Sequence, residues 1–118
     1  MQPLLFLFLA VIAVGALACG DDNTELMWTN QTGNQIVSDI RWIPYNGNSD
    51  TSFSAVLTAD GQTTEAKEIS ENSRYGSGEA LLNHSGSPAD IITPEGKDLN
   101  LASGQTNNYD IDQVVAKK

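Results

Sequence analysis

Leu26-Met27-Trp28-Thr29-Asn30, followed by Gln31-Thr32-Gly33-Asn34, is the stretch on which the fold turns. Leu26, Trp28 and then Asn30 alternate with Met27 and Thr29, which is the two-residue period of a strand with one buried face. Thr32-Gly33-Asn34 are turn formers. Downstream, Ile36, Val37, Ile40, Trp42 and Ile43 make a second strand with room for a bulge, stopped by Pro44 and the loop Asn46-Gly47-Asn48-Ser49-Asp50. Phe53, Ala55, Leu57 and Ala59 alternate strictly with Ser54, Val56 and Thr58, and Asp60-Gly61 then gives a tight-turn signal.

Later segments are less regular. Gln62 to Ile69 reads as the return arm of a hairpin, and Glu65-Ala66-Lys67-Glu68 suits a helical turn equally. Ser73 to Gly78 and His84 to Pro88 read as loops, with Glu79 to Asn83 a short strand or turn between them. Asp90 to Thr93, Leu99 to Leu101 and Tyr109 to Val115 are further short extended pieces, separated by Pro94-Glu95-Gly96 and Ser103-Gly104. No pattern of 3.6-residue period runs for four turns. Short strands with a turn signal every ten residues or so predict an all-β fold, a small β-sandwich.

Upstream of Leu26 the composition changes abruptly. Met1 to Ala18 carries fifteen apolar residues, whereas all 21 charged residues, six basic and fifteen acidic, lie from Asp21 onward. The uncharged run Leu4 to Ala18 is shorter than the roughly 20 residues a membrane span needs. A secretory signal has a short apolar core and small residues at the third and first positions before its cut, which Ala16-Leu17-Ala18 supplies. Residues 1–18 are therefore expected to be a cleaved signal peptide. Gly20-Asp21-Asp22-Asn23 follows as a polar tether, so residues 19–23 link the export signal to a domain at 24–118.

Ala16-Leu17-Ala18-Cys19-Gly20 closing an apolar run resembles the lipobox of bacterial lipoproteins. The resemblance implies that Cys19 becomes the first residue and carries acyl chains of the palmitate kind. Cys19 is also the only cysteine, which excludes an internal disulfide and suits a modified or intermolecular thiol. Trp28-Thr29-Asn30-Gln31-Thr32-Gly33-Asn34-Gln35-Ile36 and Leu99-Asn100-Leu101-Ala102-Ser103-Gly104-Gln105-Thr106 resemble two turns of small bacterial immunoglobulin-like sandwich domains. That likeness speaks for the fold and is silent on activity.

Net charge is −9, so nucleic acid is not an expected partner and anionic headgroups would repel the domain at long range. Membrane contact would come through the lipid on Cys19, placing the chain in the cell envelope at an outer membrane or cell surface, with the periplasmic face as an alternative. Roughly a third of the hundred residues after the signal are apolar, which predicts a thin core under a surface rich in Asn, Ser, Thr and Gln.

Few residues suggest chemistry. His84 is the sole histidine and sits among Asn83, Ser85, Gly86, Ser87 and Pro88, without the strained G-x-S-x-G elbow of a hydrolase serine. Zinc spacings and phosphate-binding glycine loops are absent from the sequence. Asn46-Gly47-Asn48-Ser49-Asp50 places oxygens at alternate positions as calcium loops do, yet has Thr51 and Leu57 where an EF-hand has Gly and Glu, so a turn explains it better. No metal site or cofactor is expected. Trp28 and Trp42 are expected in the core, with a sugar-stacking platform as the alternative. Asn30-Gln31-Thr32 and Asn83-His84-Ser85 match glycosylation acceptors. The expected function is that of a membrane-anchored, non-catalytic binding or structural module with a protein or glycan partner. The alternative is a small envelope hydrolase using a carboxylate pair or His84.

Overall fold

The computed structural model describes residues 23–117. The expected signal segment and Cys19 lie outside the described residues. Strands are β1 (Glu25–Asn30), β2 (Val37–Pro44), β3 (Thr51–Phe53), β4 (Lys67–Glu68), β5 (Tyr75–Leu82), β6 (Ser85–Ile92), β7 (Leu99–Asn100), β8 (Thr106–Ile111) and β9 (Gln113–Val115), with a 3-10 turn at Glu71–Ser73. No α-helix occurs among the described residues. The chain is all-β in two sheets: a small one ordered β4-β1-β8 and a large one ordered β3-β2-β5-β6-β9, with β7 added to β5.

The opening strand behaves as its alternation predicts. Leu26 and Trp28 are fully buried, while Met27 between them is partly exposed. It lies antiparallel to β4 and parallel to β8, matching Glu25 with Thr106 through Asn30 with Ile111. The bulge in β2 falls between Ser38 and Arg41, where Asp39 takes a left-handed φ of 50°. Trp42 projects into the core and its Nε1 donates to the Ser73 carbonyl at 2.9 Å.

Three segments differ from expectation. Phe53 to Ala59 keeps its alternating burial, but only Thr51–Phe53 joins a ladder; beyond it, Leu57 bridges Val37 and Thr63 bridges Thr29. This stretch crosses from the large sheet to the small one, so Asp60-Gly61 turns the chain between sheets rather than closing a hairpin. Thr64 secures the crossing: its N–H donates to the Trp28 carbonyl at 2.9 Å and its hydroxyl accepts the Trp28 N–H at 3.0 Å.

The larger correction concerns Tyr75 to Ile92, where loops over Ser73 to Gly78 and His84 to Pro88, a short strand or turn over Glu79 to Asn83 and an extended piece from Asp90 are expected. This stretch is the central hairpin of the large sheet, with β2 on one side of β5 and β6 on the other. Its turn is Asn83-His84, at φ 55° and 57°, between the paired residues Leu82 and Ser85. Two successive left-handed residues match the twist that a two-residue hairpin requires. Gly76, Ser77 and Gly78 hide the strand pattern because none is a large apolar residue, and at the two glycines the fold leaves no room for a side chain. A Cβ at Gly78 would lie 2.6 Å from Trp28 Cη2, and one at Gly76 would lie 2.3 Å from the Ile43 carbonyl oxygen.

The expected piece Tyr109 to Val115 is likewise two strands. The chain leaves the small sheet after Ile111 and enters the large one at Gln113, with Asp112 between them donating its N–H to the Ile92 carbonyl at 2.9 Å. Between the sheets, Leu26, Trp28, Ile40, Trp42, Phe53, Leu57, Ile91 and Ile111 form the centre of the core.

A mixed-charge groove on the outer face of the large sheet

Strand alternation sends Trp42, Gly78, Ala80 and Ile91 inward, and so sends Arg41, Ile43, Ser77, Glu79, Asp90 and Ile92 to the opposite face. Register places Arg41, Glu79, Asp90 and Val115 in one row across β2, β5, β6 and β9. The face is concave. Tyr45, Lys97 and the segment Val115 to Lys117 wall a groove of about 530 Å³ whose floor holds Ile43, Ser77, Glu79, Asp90 and Ile92.

Glu79 is the unusual floor residue, a carboxylate only 6% exposed. Arg41 Nη2 donates to its Oε1 at 3.0 Å and Lys117 Nζ pairs with its Oε2. Arg41 also reaches Asp50 at 3.3 Å. A buried carboxylate is tolerated when both oxygens are paired in this way. Asp90 stands directly opposite Glu79, where two like charges repel unless cations are near.

At the rim, Tyr45 donates its hydroxyl to Asp98 and meets Tyr75 edge to face, with ring centroids 5.0 Å apart. Both rings are substantially exposed, at 44% and 53%. Burial, and next the hydrogen bond to Asp98, raises the Tyr45 hydroxyl above its ordinary pKa, so it stays protonated and donating.

The residues singled out in the sequence are mostly elsewhere. Cys19 lies outside the described residues. His84 is exposed on its hairpin turn, with Nδ1 3.4 Å from the hydroxyl of Ser38, a buried serine. That separation is longer than the roughly 2.6–3.2 Å of a nucleophile and its base. Trp28 and Trp42 are fully buried, so neither offers a face to a sugar. Among the described residues the exposed aromatic rings are Tyr45 and Tyr75, which the strand readings do not include.

Asn46 to Asp50 spends its polar groups on structure. Asn46 Oδ1 accepts the Asn48 N–H at 2.9 Å, Asn48 Nδ2 donates to Ser73 Oγ at 2.8 Å, and Asp50 pairs with Arg41. Among the described residues, no three His, Cys, Asp or Glu side chains gather as a metal site requires. Asn30 is also committed. Its amide donates to the Gln35 carbonyl at 2.7 Å and accepts the Thr32 hydroxyl at 2.7 Å, and the residue is fully buried, so the folded domain cannot present it to a glycosylating enzyme.

Sequence reasoning does not reach the groove because Glu79 opens a weakly patterned segment and Lys117 lies 38 residues further along the chain. The available signal was the hairpin: Asn83-His84 between Glu79-Ala80-Leu81-Leu82 and Ala89-Asp90-Ile91-Ile92 puts Glu79 near Asp90. In comparisons with known proteins, the chain matches no family model, no curated protein and no solved structure.

Proposed function

We propose that this chain is an envelope lipoprotein of immunoglobulin-like sandwich form, anchored through acylated Cys19, that binds a partner non-catalytically in the groove on its large sheet. The groove itself carries the reading: it combines apolar floor residues, the exposed Tyr45 at the rim and charged groups tied to one another, features suited to holding a ligand. The parallel pairing of β1 with β8 and the crossing of the chain between sheets agree with the sandwich form.

One observation favours a second reading. Glu79 and Asp90 share the groove as the carboxylate pair that a small hydrolase would use. Against it, Arg41 and Lys117 occupy both Glu79 oxygens, which leaves that carboxylate an acceptor with no proton for a leaving group.

Phase partition tests the anchor. Each buried methylene contributes about 0.8 kcal/mol and stable attachment takes two or more chains, so wild type is expected in detergent and Cys19→Ala in water. Equal partition of both into water would leave a freely secreted domain. For the groove, soluble Cys19→Ala protein is expected to be retained on washed envelopes and Ile92→Arg in the same background to be lost. Cleavage of envelope glycans by wild type but not by Asp90→Asn would establish the hydrolase instead.

A further inference from the structure

Glu79 holds two cations of different standing. Arg41 sits within β2, paired on both sides, and its guanidinium is shared with Asp50. Lys117 lies two residues beyond a three-residue edge strand, outside any ladder, with its side chain 49% exposed. One cation is fixed by the sheet, whereas the other follows the last edge strand and stands half in solvent.

We propose that the groove is a binding site for an alkylammonium group, the end of a lysine side chain or of a polyamine, and that Lys117 is its built-in competitor. This rests on reading the groove as a binding site. The fold has already stripped Glu79 of water, so an incoming ammonium meets a desolvated carboxylate and need only displace one that is half in solvent. Asp90 opposite Glu79 adds attraction, since the pair needs cations close by. Ile43, Ile92 and Val115 offer apolar surface to the methylene stem. A volume of about 530 Å³ lies within the ordinary range for small-ligand sites.

The test is calorimetric titration of the full chain with 1,5-diaminopentane, with capped lysine (N-acetyl-lysine methylamide), and with capped norleucine as the stem without its charge. Lys117→Met keeps the stem and removes the competing ammonium. It is expected to tighten binding of an ammonium probe by about threefold to fivefold over wild type, the loss of a half-exposed ion pair to the same carboxylate. Adding Glu79→Gln is expected to abolish that gain. Binding of the diamine alone identifies a free polyamine as the source, and binding of capped lysine identifies a protein side chain. Unchanged affinity in Lys117→Met, or equal affinity for capped norleucine, overturns the inference. Because Lys117 is on the surface, that variant decides the matter even if Glu79→Gln fails to fold. A groove indifferent to ammonium whose Ile92→Arg variant still loses envelope retention would refute this inference and keep the binding reading.

Discussion

The indole of Trp28 occupies the space that a side chain at Gly78 would need: a Cβ there would stand 2.6 Å from Cη2 and 2.9 Å from Cζ2. The Ile91 Cδ1 methyl closes the same space at 2.9 Å. Through this pair the small sheet packs on the large one, and the backbone of β5 takes the place of a core side chain.

Gly78→Ala is therefore expected to destabilise the domain. A buried tryptophan ring has no free end to swing aside, so accommodation requires a shift of β1 or β5, costing roughly 1–3 kcal/mol by the usual scale of overpacking. For a domain of this size that lowers the melting temperature by about 4–8 °C per kcal/mol. An unchanged melting curve would show that the two sheets are not in contact here.

His84→Gly is expected to act in the opposite direction. His84 holds φ at 57° beside Asn83 at 55°, a conformation costing an L-residue about 1 kcal/mol or more that glycine adopts freely. Asn-Gly is also the favoured pair for this turn. After the greater chain entropy of glycine is set against the relief, a gain of roughly 0.5 kcal/mol remains. A drop in melting temperature would show that the contact of His84 with Ser38 matters more than the strained turn.

Acid should weaken the fold through two surface carboxylates. The Ser103 hydroxyl first, and Thr24 next, hold Glu71 below its ordinary 4.5, and the Ser54 N–H is foremost in doing the same for Glu65. With folded values below unfolded ones, their stabilisation is present above about pH 4.5 and is lost as pH falls through the lower folded values. Wild type should lose melting temperature between about pH 5 and pH 3 more steeply than Glu65→Gln/Glu71→Gln. Parallel curves for the two proteins would rule these carboxylates out as the cause.

Much of the fold was legible locally. Leu26 and Trp28 declared a half-buried strand, Ile36 to Ile43 a bulged one, and Asn46 to Asp50 a turn, because periodicity and turn chemistry act between near neighbours. Phe53 to Ala59 shows the limit of such evidence: the alternation was real as burial, yet an isolated bridge at Leu57 stands where a ladder was expected.

By itself the sequence determined the all-β character, the acidic surface and an apolar N-terminal run ending at Cys19. Tertiary structure alone decided that Tyr75 to Leu82 is a central strand, since Gly76, Ser77 and Gly78 carry no apolar signal and the smallness of the two glycines has meaning only against Trp28 at Gly78 and the Ile43 backbone at Gly76. It also decided the groove. Glu79 meets Arg41 and Lys117 from positions 38 residues away on either side, and a buried charge is acceptable only where the folded chain brings its counter-charges to it.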